Sequence, residues 1–357
     1  MRAVLVGPNV RRLAIVALCV VVHAPASSQA TLPATISDRA FWALTEQISE
    51  PDGYFRSNSG SPDNLLSNEN TVSTVAASLA ERVKPSGVYL GVGPEQNFTY
   101  IAAIRPRLAF ITDIRRGNLH LHLMYKALFE MSANRADFVA RLFSRKRPPG
   151  LTATSTAAEL MNAFLSAVPD DETAVLANLN AINSHLTKTR RFPLGADDLA
   201  GIEYVYRHFH RFGPAIHYTS SIGGRRGASS YAALMASIDR TSRTERTYLS
   251  SEERYLAVKS LQSRNLIVPV VGDFAGPRAL RAVGAFLKAR GATVTAFYVS
   301  NVENYLQRNG VWPAFCANVA ALPLDARSTF IRPGGSGFGP FGTMAQETAS
   351  CAAGRRR

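Results

Sequence analysis

Hydrophobic residues follow two rhythms along this chain, short unbroken runs and longer stretches of helical spacing, and the two alternate. The run over 88–92 (Val-Tyr-Leu-Gly-Val) has the continuous apolar character of a strand buried on both faces of a parallel sheet, and it breaks at Gly91-Val92-Gly93-Pro94. Residues 96–104 then keep helical spacing until Pro106 stops them, and 108–112 returns as a second apolar strand closed by Asp113. The stretch 214–220, the strongly apolar run 266–272 and the stretch 293–299 predict a third, fourth and fifth strand, with helices over 229–239, 252–262 and 277–290. Ahead of the first strand, 35–49 and 71–83 read as helices, the former amphipathic through Ile36, Phe41, Trp42, Leu44 and Ile48 and capped by Ser37. Strands alternating with helices predict an α/β fold with a doubly wound, mostly parallel sheet, in which ligands lie beyond the C-terminal strand ends.

Residues 118–143 and 157–185 also keep helical spacing, with a basic turn at 145–149 between them, and 202–211 extends the pattern. The span 132–199 is longer than an ordinary connection in such a fold and is expected to be a helical insertion capping the substrate side. The chain accordingly divides into a leader (1–30), a helical lead and loop (31–85), a sheet domain with its insertion (86–333) and a Gly-, Ser- and Ala-rich flexible tail (334–357). The Ser-, Asn-, Gly- and Pro-rich stretch 57–70 is expected to loop over the pocket.

Glycines at 91 and 93 let backbone approach a ligand, and an acidic residue about 20 residues further on suits the hydroxyls of a ribose. A buried left-handed turn needs glycine too, so the turn alone does not define a nucleotide site; turn, helix and Asp113 together point to one. The segment resembles the class I S-adenosylmethionine-dependent methyltransferases, whose first motif leads from a strand into L-x-G-x-G. Leu90-Gly91-Val92-Gly93 matches part of it, while Tyr89 stands where that family usually has an acidic residue and Glu95 where a third glycine often falls. The resemblance implies a methyltransferase-like Rossmann fold and an S-adenosylmethionine cofactor, with Gly91 and Gly93 along its amino-acid end and Asp113 on its ribose. Glu95, Gln96, Asn97 and Ile114 are expected to complete the cofactor site. A longer resemblance, through Tyr-Leu-Gly-Val-Gly-Pro-Glu-Gln-Asn-Phe-Thr-Tyr-Ile and Thr-Asp-Ile-Arg-Arg, is to bacterial proteins of unassigned function.

Asp113, Asp273 and the turn Ser300-Asn301-Val302-Glu303 each follow a predicted strand and are expected to converge at one edge of the sheet. Asp273 occupies the place where the resembled family often carries polar residues near the transferred methyl, and it is equally placed to cap the next helix. His217, in the predicted third strand, is a candidate base or a structural histidine. The family's Asp/Asn-Pro-Pro-aromatic motif for amino-group methylation is absent. The pairs His120/His122 and His208/His210 are two residues apart, a spacing that points side chains away from each other on a helix, so no metal site is expected. No G-x-S-x-G elbow, P-loop or His-Glu-x-x-His occurs, which lowers the standing of hydrolase, NTPase and zinc-protease chemistry. The expected function is therefore that of an S-adenosylmethionine-binding, methyltransferase-like protein of unknown acceptor. Its alternatives are an exported non-catalytic protein binding a ligand or partner through the same cleft, and a nicotinamide-dependent oxidoreductase, which would lack its third fingerprint glycine.

Composition changes this picture in two places. At 357 residues and 46% hydrophobic content the chain can bury a full core, and its net charge of +14 comes mostly from scattered arginines, so nucleic-acid binding is not expected. Arg11-Arg12, an apolar stretch over 13–22 and Ala24-Pro25-Ala26-Ser27-Ser28-Gln29-Ala30 have the layout of an export signal cleaved after Ala30. That stretch falls short of the roughly 20 residues of a membrane span, and no span is expected in the mature chain. Arg11-Arg12-Leu13-Ala14-Ile15 resembles a twin-arginine signal, a route for proteins that fold with their cofactor before export. A misassigned start would instead leave the protein in the cytoplasm. Beyond Ala30 only Cys316 and Cys351 remain, allowing one disulfide at most, and Cys316 is expected to pack as a small hydrophobe. Asn97-Phe98-Thr99 fits a glycosylation sequon but reads as a helix-cap region.

Overall fold

The computed structural model describes residues 3, 31–54, 63–223, 229–332 and 340–352. Apart from residue 3 the leader, and with it the export and twin-arginine expectations, therefore lies outside the described residues, as does the first part, 57–62, of the loop expected at 57–70. At the centre is a six-stranded sheet in the order β3-β2-β1-β4-β5-β6, made of β1 (Val88–Gly91), β2 (Leu108–Asp113), β3 (Ile267–Val271), β4 (Val294–Tyr298), β5 (Thr329–Ile331) and β6 (Phe341–Thr343). All neighbours run parallel except β5 and β6. The first three strands are buried along their whole length, as the unbroken apolar runs require.

Helices α1 (Asp38–Ile48) and α2 (Val72–Arg82) precede β1, and α3 (Gln96–Ile104) joins β1 to β2. Ser37 caps α1 as expected, accepting from the Ala40 amide at 3.3 Å. Beyond β2 come α4 (Arg116–Met131), α5 (Arg135–Phe143), α6 (Ala157–Leu165), α7 (Glu172–Ser184), α8 (Ala196–Phe212), α9 (Tyr231–Met235) and α10 (Glu252–Ser263). The stretch 118–143 is thus two helices rather than one, because Asn134 starts α5 by accepting from the Asp137 amide at 3.0 Å. Residues 157–185 divide likewise at Asp171, which caps α7, and α7 runs on into a π-helical turn, His185–Thr189. An aromatic cluster fastens this helical layer to α3: Phe98 stacks edge-on against Phe129 at 5.2 Å, and Phe129 meets Phe138 at 4.5 Å.

The expected third strand at 214–220 is not a strand. Pro214 has no amide to give a ladder, the His217 amide is taken by the Ser220 hydroxyl at 2.8 Å, and the segment forms short 3₁₀ turns, Gly213–Ala215 and Ser220–Ile222. His217 keeps one isolated bridge to Ser230. The helix expected at 229–239 shortens to α9, since Asp239 turns its carboxylate onto the amides of Thr241 and Ser242.

After β3, α11 (Ala279–Lys288) leads to β4, and α12 (Val302–Arg308) and α13 (Trp312–Ala320) lead to β5. The supposed flexible tail instead supplies β6 and α14 (Met344–Ala352). Arg332 accounts for part of that order: its Nη2 donates to Glu303 Oε1 on α12 at 2.9 Å and to Glu347 Oε2 on α14 at 2.6 Å. Cys316 on α13 is not a free hydrophobe but forms a disulfide with Cys351 of α14.

At the opposite side of the sheet the chain before β3 closes the edge. Ser49 Oγ accepts from the Val271 amide at 3.0 Å, and the Glu50 amide donates to the Val271 carbonyl at 2.8 Å.

Candidate functional site

The strand order reverses around β1, which lies between β2 and β4, and in open parallel sheets this is where ligands settle. A cleft opens there at the carboxyl ends of the strands. Gly93, Pro94 and Gln96 line it from the β1 turn, Asp113, Ile114 and Arg115 from the tip of β2, Gly272, Asp273 and Phe274 from that of β3, and Ser300, Asn301 and Val302 from that of β4. Tyr305, Leu306 and Asn309 of α12 and its end form one wall, with Asn64, Ser67, Asn68 and Tyr218 opposite. The enclosed space is about 160 Å³. Small-molecule sites run upward from about 300 Å³, so a ligand larger than this space would extend past the lining, which includes the exposed ring of Tyr54.

The glycine turn is built from beneath. Gly93 holds φ at 73°, a left-handed conformation, and its carbonyl accepts from Asn97 Nδ2 at 3.2 Å and from His122 Nε2 at 2.9 Å. Burial lowers His122 to about 4, against the pull of that carbonyl, so the ring is neutral near pH 7. Asn97 Nδ2 also donates to the carbonyls of Val92 at 2.9 Å and Pro94 at 2.7 Å, while its Oδ1 accepts from the Tyr89 hydroxyl at 2.7 Å. A Cβ on Gly91 would lie 1.9 Å from Asn97 Oδ1, so the space this glycine leaves is filled by Asn97 rather than offered to a ligand. Gly91, Glu95 and Asn97 thus support the turn, whereas Gly93, Gln96, Asp113, Ile114 and Asp273 face the cleft. Asn97 is fully buried, which keeps the sequon from a glycan in the folded protein.

Glu95, standing where the resembled family often has a third glycine, has a structural use. Its two carboxyl oxygens accept from the Ser67 amide at 3.3 and 3.2 Å and tie the 64–70 segment to the turn. Burial pushes it up to about 8, so it is mainly protonated at neutral pH.

Asp113 Oδ1 accepts from the Arg115 backbone amide at 3.0 Å and from its Nε at 3.3 Å, and Oδ2 takes no hydrogen bond from the described residues. Asp273 uses Oδ1 to close its own turn on the Ala275 amide at 2.9 Å. It does not cap α11. That task falls to Glu50, which accepts from the amides of Arg278 at 2.7 Å, Ala279 at 2.9 Å and Asp273 at 3.1 Å. His217 is half-buried and absent from the cleft lining, with Nδ1 3.3 Å from the Thr219 hydroxyl; its neighbour Tyr218 faces the cleft instead. Glu303, in the turn expected at the site, points away into its ion pair with Arg332. His120 pairs with Asp198 at 2.9 Å while His122 holds Gly93, so the two histidines do look in different directions. No group of three or more His, Cys, Asp or Glu able to hold a metal occurs among the described residues.

Sequence reasoning missed Glu69, Tyr298, Asn64 and Glu50. Each lies in a loop or at the end of a run where a single polar residue carries no periodic signal.

Over residues 65–212 and 224–348 the chain matches the family described as Domain of unknown function (DUF7790). The protein belongs to that family. No curated protein matches it. The matched stretch takes in the glycine turn, Glu69, Asp113, Asp273 and Ser300, while α1 and Glu50 precede it.

Proposed function

We propose that this member of the DUF7790 family binds S-adenosylmethionine in the cleft and has a methyltransferase-like Rossmann fold. The carrying observation is that Gly93 and Gln96, at the entry to α3, share one cleft with Asp113 at the tip of the neighbouring strand, where the strand order reverses. Asp113 Oδ2 is available to a ribose hydroxyl, the Gly93 backbone and Gln96 would receive the amino-acid end, and Asp273 and Asn301 would contact the acceptor. Two buried acceptor oxygens in the lining, Gln96 Oε1 and Asn64 Oδ1, have no donor among the described residues, which suits a ligand bringing N–H groups. When bound, the cofactor would supply an electrophilic methyl group; these residues would orient it and its acceptor.

The same lining disfavours a dinucleotide. Glu69 and Glu95 are buried beside the start of α3, Asp113 and Asp273 face the cleft, and the single cation among the described residues of the lining, Arg115, is already engaged by Asp113. A pyrophosphate would meet acceptors where it needs donors.

The disulfide between Cys316 and Cys351 favours the export reading, since such bonds persist in oxidising compartments. It thereby keeps open an exported protein that binds through this cleft without catalysis. No helix among the described residues is long and apolar enough to cross a membrane.

Thermal unfolding with S-adenosylmethionine, S-adenosylhomocysteine and NAD, in the parent and in Asp113→Ala, tests the reading. Ligand at about 100 times its Kd is expected to add roughly 2.7 kcal/mol, a rise of several degrees, with the adenosyl ligands only and not in Asp113→Ala. A protein that none of the three stabilises is not an S-adenosylmethionine binder, and the non-catalytic reading then takes its place.

A further inference from the structure

Behind the cleft floor sits a buried acid that the assignment above leaves unused. Glu69, ahead of α2, is 5% exposed, and its Oε1 accepts from the hydroxyls of Tyr298 and of Ser300, the latter at 2.8 Å. Its Oε2 has no partner within hydrogen-bonding geometry among the described residues. The Tyr298 hydroxyl in turn accepts from the Gln96 amide nitrogen, so Gln96 and Ser300, which line the cleft, are both hydrogen-bonded into the Glu69 cluster. Ser300 holds φ at 51°, a left-handed conformation that a residue with a side chain adopts only when its surroundings impose it.

The groups facing Glu69 are Tyr298 and Ser300 from β4 and its tip, Tyr100 and the protonated Glu95 from α3 and its start, and Tyr89 from β1. Among the described residues it makes no ion pair. Three phenols, a hydroxyl and a neutral acid can hydrogen-bond a carboxylate, but none can neutralise it. A buried carboxylate in that position either takes a proton or meets a positive charge brought from outside. Burial raises Glu69 to about 7, so both forms are populated near neutral pH.

We propose that the floor made by Gln96 and Ser300 is the subsite for a ligand's positively charged centre, with Glu69 behind it supplying the counter-charge. The inference rests on the reading of the cleft as an S-adenosylmethionine site, and that ligand carries two such centres, a sulfonium and an α-ammonium. Either one favours the ionised carboxylate, so the proton on Glu69 passes to solvent as the ligand binds. Affinity then rises with pH through the range in which free Glu69 titrates, because raising the pH does beforehand what binding otherwise has to do.

Calorimetric titration of the full chain at pH 7, in two buffers of different ionisation enthalpy, counts the protons released per ligand bound. With S-adenosylmethionine the expected count is about half a proton. Release with S-adenosylmethionine but not with S-adenosylhomocysteine assigns the sulfonium; release with both assigns the ammonium. Glu69→Gln is expected to bind without release, and its Kd to stay flat between pH 6 and 8, where that of the parent falls. Binding to the parent with no release overturns the counter-charge and leaves the cofactor reading standing. If neither compound binds, the cofactor reading fails and takes the inference with it. Infrared difference spectra of the parent provide a check that needs no variant: adding S-adenosylmethionine should bleach a protonated-carboxyl band, and an unchanged band overturns the proposal.

Discussion

Glu50 caps the helix that opens at Ala279, accepting from the Ala279 amide at 2.9 Å across a sequence separation of 229 residues. The same carboxylate takes the amides of Arg278 and Asp273, so it shapes the β3 turn that presents Asp273 to the cleft. Glu50→Ala leaves three backbone donors without this acceptor. The expected cost is about 1–2 kcal/mol, read as a lower denaturation midpoint, together with faster amide exchange in the first turn of α11. Unchanged exchange there would mean that another group takes over the cap.

Gly91 and Asn97 form a second coupled pair. A methyl at 91 would sit on Asn97 Oδ1, and Asn97 is the acceptor for the buried Tyr89 hydroxyl. Gly91→Ala is expected to cost about 1–3 kcal/mol through overpacking, and Asn97→Ala a similar amount through the orphaned hydroxyl. In the double variant the smaller side chain relieves the contact with Asn97 and leaves that with Tyr89 Cε1 at 2.8 Å, so urea titrations should give a total below the sum. Strict additivity would show that the two positions do not share this space.

Glu69 and Glu95 set a pH dependence. Both carboxyls are raised from 4.5, to about 7 and about 8, so between those limits the folded state holds protons that the unfolded state has lost. Stability contributed by these groups is complete below pH 4.5 and declines as pH rises through each folded value. His122 works in the opposite direction, but its lowered value of about 4 confines its effect to pH 4–6.5. Lys126, lowered to about 8, adds stability only above that value. Between pH 6.5 and 8 these two acids together should lower stability by an amount of order 1–2 kcal/mol. Glu95→Gln should flatten the slope above pH 7; an unaltered slope would sink the assignment.

The disulfide closes 35 residues and ties α14 to α13. Cys351→Ser is expected to cost about 2–4 kcal/mol, with amide exchange accelerating first in α14 and β6 while β1 to β4 keep their protection. Uniform acceleration would mean that the C-terminal segment unfolds only with the whole protein.

How far the sequence led can be judged from its strands. The stretch 88–113 was readable because continuous apolar residues, a glycine break and a proline stop all mark the same boundaries, and its strands and helix stand at those places. The stretch 214–220 also read as a strand, yet its fate turned on Pro214 and on one serine hydroxyl, which periodicity does not register. β5 and β6 have three residues each, too few for any alternation to show. At the site the backbone features were visible and several of the side chains were not. Gly93 and Asp113 announce themselves through turn and strand-end positions, whereas Glu69 reaches the cleft only through Ser300 and Gln96, partners brought together by the fold.

Both margins of the sheet are finished by chain from its two ends. On one side Ser49 and Glu50 satisfy the Val271 amide and carbonyl, and on the other three-residue β6 turns the chain back antiparallel against β5 and runs directly into α14. An uncovered parallel margin would present a ladder of unpaired amides and carbonyls to any neighbouring chain. Ser49 with Glu50 on one margin and β6 on the other therefore guard the sheet against strand addition, and removing either would open the strand behind it to pairing with a neighbouring chain.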